Sequence, residues 1–206
     1  MLCRPMPDPE ITDDLAIRFE PSQDLETWAR STFIQEDGPL ANPDHGHLNE
    51  AVIGFLWTNV ANARAARAII GQAELGDPVG AMGKWARARA KLQVEAWFGL
   101  IPDFIITVDA NYAKECGDPE FCALIEHELY HCAQEHDIYG APKFRRDGRP
   151  VFAIKGHDVE EFVGVVRRYG ASATGVGAMV EAANAGPQIA SASIAGACGT
   201  CLTRAA

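Results

Sequence analysis

The sequence predicts an α+β domain in which a small mixed or antiparallel sheet packs on one amphipathic helix. Three observations lead to this. Residues 119–135 place Phe121, Leu124, Ile125, Leu129 and Cys132 at helical spacing, which makes one apolar stripe. Two short runs rich in β-branched and aromatic residues, 51–59 (AVIGFLWTN) and 104–108 (FIITV), precede it and read as strands. The chain has 206 residues, 48% hydrophobic and 22% charged, enough for one domain with a real core or one domain with tails.

In chain order, residues 1–44 carry much Pro, Asp and Glu and read as an N-terminal extension. A short helix over 25–34 is ended by the Gly38-Pro39 and Asn42-Pro43 steps. The domain proper is expected over 45–170. Segment 51–59 is a buried strand and 67–75 a second, with Gly76-Asp77-Pro78 as its turn, and 85–98 is a helix. The strand at 104–108 reads as core or as a sheet edge beside a cleft, where an extended substrate adds as a further strand. Asp118 as N-cap and Pro119 at the first helical position start the 119–135 helix. Asp147-Gly148 marks a hairpin between 143–146 and 151–154, with Pro150 weakening the second strand. Asp158 and Glu161 fit a capping box for a last helix whose apolar face is Val159, Phe162, Val163, Val166 and Tyr169. Residues 171–206, mostly Ala, Gly, Ser and Thr, are expected to be a weakly structured tail with a short helix near 179–183.

Charge and hydropathy exclude some classes of function. A net charge of −10 and a pI near 5.0 give no basic footprint, so no nucleic-acid partner is expected. The local basic runs 84–91 and 143–149 read as solvated faces. No apolar run of roughly 18 residues occurs, so no membrane span is expected. Residues 1–10 lack the basic and apolar regions of a signal peptide, which places the protein in the cytoplasm of a bacterium or an infected host cell. The cysteines, Cys3, Cys116, Cys122, Cys132, Cys198 and Cys201, should then stay reduced. Cys198 and Cys201 form a single C-x-x-C, weighed as half a zinc site or a redox pair and read as an incidental pair. Cys122 and Cys132 read as small core residues, and Trp28, Trp57, Trp85 and Trp97 as core aromatics.

The chemistry is concentrated in His127-Glu128-Leu129-Tyr130-His131. Four residues turn a helix by about 400°, so both imidazoles leave it on nearly the same side and can share one Zn²⁺. The intervening Glu128 can reach a metal-activated water without binding the metal itself, which is the mechanical content of an H-E-x-x-H motif. A catalytic zinc usually takes three protein ligands. His157, just before the second capping box, is the best candidate for the third, and Glu160 is its rival. Asp158 is an N-cap or a hydrogen-bond partner of a ligand histidine. His136 faces another side of the helix, and His45 and His47, in a Gly- and Pro-rich loop, read as surface groups and second-best ligand candidates. Tyr130, Tyr139 and Tyr112 are the phenols available to donate to an oxyanion. The reaction that fits is hydrolysis of a peptide bond in a peptide or protein substrate.

The segments Ala123-Leu124-Ile125-Glu126-His127-Glu128-Leu129-Tyr130-His131-Cys132 and Lys155-Gly156-His157-Asp158-Val159-Glu160-Glu161-Phe162 resemble the putative phage metallopeptidase family, over roughly residues 47–170. The resemblance implies a minimal zincin-like fold and a phage or prophage origin. It also implies one Zn²⁺ per chain held by His127, His131 and His157, with Glu128 as the catalytic carboxylate. The alternative that it leaves standing is a zincin-fold protein that binds metal without proteolysis, as a virion component or a host-interaction protein.

Overall fold

The computed structural model describes residues 3–13, 16–64, 67–78, 80, 83–159, 162–171 and 176–187. They fall into two units, one ending at Lys155 and one beginning at Gly156.

The first unit opens with α1 (Pro9–Asp13), β1 (Phe19–Pro21) and α2 (Gln23–Ala29). Ser22 starts α2 by accepting a hydrogen bond from the Leu25 amide, which satisfies one of the helix's unpaired donors. The helix widens into a π turn over Arg30–Ile34, so the expected helix is present with a change of winding. Ile11, Leu25, Trp28, Ala29, Phe33 and Ile34 are buried, so the segment read as an extension supplies core and an edge strand. A 3-10 stretch, Pro43–Glu50, follows, with the Asn42 side chain accepting from the Asp44 amide.

Next come β2 (Ile53–Thr58), β3 (Asn62–Arg64), β4 (Arg67–Ile69) and β5 (Gly71–Leu75). The strand expected over 67–75 is therefore two. β4 pairs back on β3, whereas β5 joins the main sheet, and the chain changes partner at Ile70. Then follow α3 (Lys84–Phe98), β6 (Phe104–Asp109), α4 (Ala110–Glu115) and α5 (Asp118–His131). A final ladder joins β7 (Cys132–Gln134) to β8 (Phe152–Ile154).

The main sheet has the order β1-β2-β6-β5, with β2 and β6 parallel and both outer pairs antiparallel. The 104–108 run is thus an inner strand, and its reading as a sheet edge is corrected, because β5 returns antiparallel along it and takes the edge. Alternation sorts the inner strands onto two faces. Ile53, Phe55, Trp57, Phe104, Ile106 and Val108 join the main core with α2 and α5. Leu56 and Ile105 face the other way, onto Val94, Trp97 and Phe98 of α3. Burial on both faces explains why these strands read as unbroken apolar runs. Gly54 permits the α3 contact, since a Cβ there would lie 2.6 Å from the Phe98 ring. Trp28 and Trp57 are core as expected, but Trp85, in the first turn of α3, is 85% exposed.

The expected stripe on α5 is observed: Phe121, Leu124, Ile125, Leu129 and Cys132 are all buried. Both helix ends differ from expectation. The N-cap is Gly117, and Asp118 instead pairs with Arg4 at 2.7 Å. The helix stops at His131, because the backbone of 132–134 is taken up by the ladder with β8. Beyond it, the Asp147-Gly148 turn forms with Gly148 at φ +85°, a conformation that glycine adopts without steric cost. Arg145 donates to the Arg149 carbonyl across that turn, while 152–154 pairs with 132–134 and not with 143–146.

In the second unit, α6 (Val163–Tyr169) and α7 (Gly177–Ala185) are the helices described. α7 contains the expected short helix. α6 begins at Val163 behind Phe162, with no side-chain cap, so Asp158 stands five residues before its first turn and the expected capping box is not what starts it. Glu160, Glu161 and the Cys198/Cys201 pair lie outside the described residues, as does most of the expected tail. No helix among the described residues is long and apolar enough to cross a membrane.

Candidate metal centre

The last two turns of α5 carry His127, Glu128 and His131. Their rotation on the helix sets their burial. Glu128 is fully buried, His131 is 2% exposed and His127 is partly exposed at the rim. The two imidazoles turn toward each other, Nε2 to Nε2, at 3.2 Å.

His131 is held by the strand that follows the hairpin. Its Nδ1 donates to the Lys155 carbonyl at 2.6 Å, and its own carbonyl accepts from the Lys155 amide at 2.9 Å. The pair continues the β7–β8 ladder by one residue, since Cys132 lies opposite Ile154. With the proton fixed on Nδ1, a neutral His131 presents a lone pair at Nε2. An imidazole whose other nitrogen donates to a carbonyl is also the usual form of a metal ligand. The spacing agrees: two ligands of a tetrahedral zinc, each at about 2.0–2.1 Å, lie about 3.3–3.4 Å apart. These residues therefore fit a metal ion.

Glu128 packs against bare backbone of the edge strand. A Cβ placed on Gly71 would lie 2.9 Å from Glu128 Oε1 and 2.8 Å from Leu124 Cδ1. Cys132 is buried at the end of the helix, its Sγ turned to the Glu128 carbonyl, and burial pushes its thiol pKa well up. It is the small core residue expected from the sequence.

His45 and His47 are not surface groups. His45 is 1% exposed, packed edge-on against Tyr130 at 4.7 Å between ring centroids, and its Nε2 has no hydrogen-bond partner among the described residues. Burial, and then the neighbouring His47, hold its pKa down to about 4 against an opposing pull from Asp44. His47 Nε2 donates to the Cys132 carbonyl at 2.7 Å, which caps the C-terminus of α5. His136 lies past the helix end, in a bridge to Pro142, and not on the helix. A cavity of about 680 Å³ opens beyond the end of α5, lined by His45, His47, Tyr130, His136 and Ile154 among others.

The three phenols are widely placed. Tyr130 accepts from Asn42 at 2.8 Å and donates to Asp44 at 3.1 Å. Tyr112 lies beside Cys116 and Glu120 at the opposite end of α5, and burial first of all pushes its pKa up to about 12. Tyr139 is 88% exposed on the turn held by Asp137. His157 and Asp158 belong to the second unit, the second and third residues after Lys155.

The role of Gly71, the Lys155 carbonyl and the burial of His45 are not apparent from the sequence. A carbonyl leaves no trace in residue type. Gly71 and Ala73, small residues on one face of a strand, were the signal available for the close helix approach.

Comparison with known proteins gives a family for the chain. No curated protein and no solved structure matches the chain. The family described as "Putative phage metallopeptidase" matches residues 26–184, more than half of the chain and inclusive of the whole α5 motif. The match takes in β2 and the end of α2 as well as the segment that begins at His157, and on it the chain belongs to the putative phage metallopeptidase family.

Proposed function

We propose that this protein is a phage- or prophage-encoded zinc peptidase that hydrolyses peptide bonds in peptide or protein substrates. The observation that carries the reading is the anchored imidazole pair, with His131 fixed by Lys155 and its Nε2 set 3.2 Å from that of His127. Three features support His157 as the third ligand. It follows Lys155 by two residues, so covalent geometry keeps it within about 7 Å of that anchor. By residue type, His127, His131 and His157 are candidate ligands for one ion. Three histidines with one open position are also the donor set of a catalytic zinc. Asp158, next in the chain, is proposed as a hydrogen-bond acceptor for a ligand imidazole.

Zinc, when bound, supplies Lewis acidity, lowering the pKa of water to about 7 and polarising a carbonyl. Glu128 accepts the proton of the attacking water and returns it to the leaving amine. Tyr130 is held by Asn42 and Asp44 and Tyr112 lies at the far end of α5, which leaves Tyr139 as our candidate oxyanion donor. An extended substrate adding to the sheet would lie along β5, the edge strand nearest α5. The cavity beyond His131 is the proposed space for one of its side chains.

Metal analysis and one substitution test the reading. The purified chain should hold about one zinc, and Glu128→Gln should keep it while losing peptide hydrolysis by about 10²–10⁴-fold. A chain without zinc sinks the metal reading, and an unchanged rate in Glu128→Gln sinks catalysis in favour of a metal-binding or virion role. His157→Ala should weaken zinc binding strongly and Glu160→Ala should not; the reverse result makes Glu160 the ligand.

A further inference from the structure

Gly71 stands first in β5, paired with Val108 of β6, and is buried. Its backbone is not in the left-handed region that would call for glycine, so conformation does not explain the residue. Space does. A Cβ at this position would fall 2.8 Å from Leu124 Cδ1, 2.9 Å from Glu128 Oε1 and 3.3 Å from Glu128 Cγ. Real Cβ atoms do not approach that closely, so something must shift. The Leu124 methyl is the end of a flexible side chain but is itself packed in the core at 1% exposure. Glu128 is fully buried, and its Cγ and Oε1 together form the wall that the methyl would strike.

We infer that Gly71 is a positioning residue for Glu128: the missing side chain on the edge strand is the seat of the carboxylate, and any side chain there displaces it. This rests on the proposed role of Glu128 as proton acceptor. Ala73 and Leu75 share the face of β5 that carries Gly71, and both pack in or against the main core, so the whole face is turned to the helix side. The strand therefore lies close enough to α5 that the carboxylate of Glu128 rests on backbone, beside the buried His131 and the partly exposed His127. Displacement of a reacting group by about 1 Å can cost on the order of 10²-fold in rate.

The test uses the full-length zinc-loaded protein with Gly71→Ala, Leu124→Val and the double variant, and fluorogenic peptides that the unaltered protein cleaves. Leu124→Val removes the Cδ1 contact, so the double variant keeps the test available if Gly71→Ala alone does not fold. Leu124→Val alone should cleave at the unaltered rate. In both Gly71→Ala backgrounds, zinc content and KM should be unchanged and kcat should fall about tenfold to a hundredfold. Adding Glu128→Asp, whose shorter side chain withdraws from the new methyl, should cost less in that background than it does in the unaltered chain. A kcat loss that merely follows zinc content or folded fraction overturns the inference, as does an unchanged kcat. A crystal structure of either variant decides the matter without activity. The inference requires the Glu128 carboxylate to have moved, and a carboxylate in place with only Leu124 displaced refutes it. If the unaltered protein cleaves no peptide, the proposed function fails while this structural arm still reads the seat of Glu128.

Discussion

His45 should make the stability of this protein depend on pH, and the size of the effect follows from its surroundings. The imidazole is 1% exposed, with His47 and Asp44 as its titratable neighbours, and its pKa is held down to about 4 from the usual 6.5. In the unfolded chain it takes up a proton near pH 6.5, and in the folded chain only near pH 4. Between those values the unfolded state binds more protons, so this contribution is fully present above the unfolded pKa and is lost as pH falls toward the folded one. From about pH 7.5 to about pH 5 the loss is about 2 kcal/mol. The perturbation is His45→Leu, which keeps a buried apolar body against Tyr130 and removes an Nε2 that has no hydrogen-bond partner among the described residues. At about pH 7.5 the variant should be as stable as the unaltered chain or more so, since an unmet buried polar atom is removed. The assay is urea unfolding of both metal-free proteins at a series of pH values, so that loss of zinc at low pH does not enter. The difference in unfolding free energy between them should grow by about 2 kcal/mol over that range. Parallel pH profiles for the two proteins refute the reasoning.

Three further outcomes follow from packing and burial. Gly54→Ala drives a methyl to within 2.6 Å of the Phe98 ring and should destabilise the chain by about 1–3 kcal/mol, with the denaturation midpoint as the measure. Leu129→Ala removes a fully buried side chain from the middle of the motif and should cost about 2–5 kcal/mol; a shift under about 1 kcal/mol would mean that this part of the core relaxes freely. Cys132 is buried and its thiol is pushed up by burial, while Cys3 is exposed. Iodoacetamide followed by mass spectrometry should label Cys3 in the native protein and Cys132 only after unfolding.

The sequence by itself determined the elements whose cause is local. The α5 stripe of Phe121, Leu124, Ile125 and Leu129, the apolar runs of β2 and β6, and the four-residue spacing of His127 and His131 all follow from periodicity, which needs no knowledge of the rest of the chain. The family also followed from local residues, the segments 123–132 and 155–162 on which the resemblance rests, and the family match spans both. Tertiary structure decided everything that depended on a partner. Helical propensity past His131 lost to the ladder between Cys132–Gln134 and Phe152–Ile154, which no local pattern announces. The edge position passed from 104–108 to β5 because pairing order is a property of the sheet and not of a strand. His45 became buried and His47 partly so because 43–50 packs against the end of α5, although Gly and Pro content there reads as loop. The anchor of His131 is a main-chain carbonyl, which leaves no trace in residue type, and the seat of Glu128 is a glycine on another element, where small residues signal a close approach but not what approaches. Residue types could name the groups that do the chemistry, but the groups that hold them still are backbone atoms, and only the folded chain brings those into place.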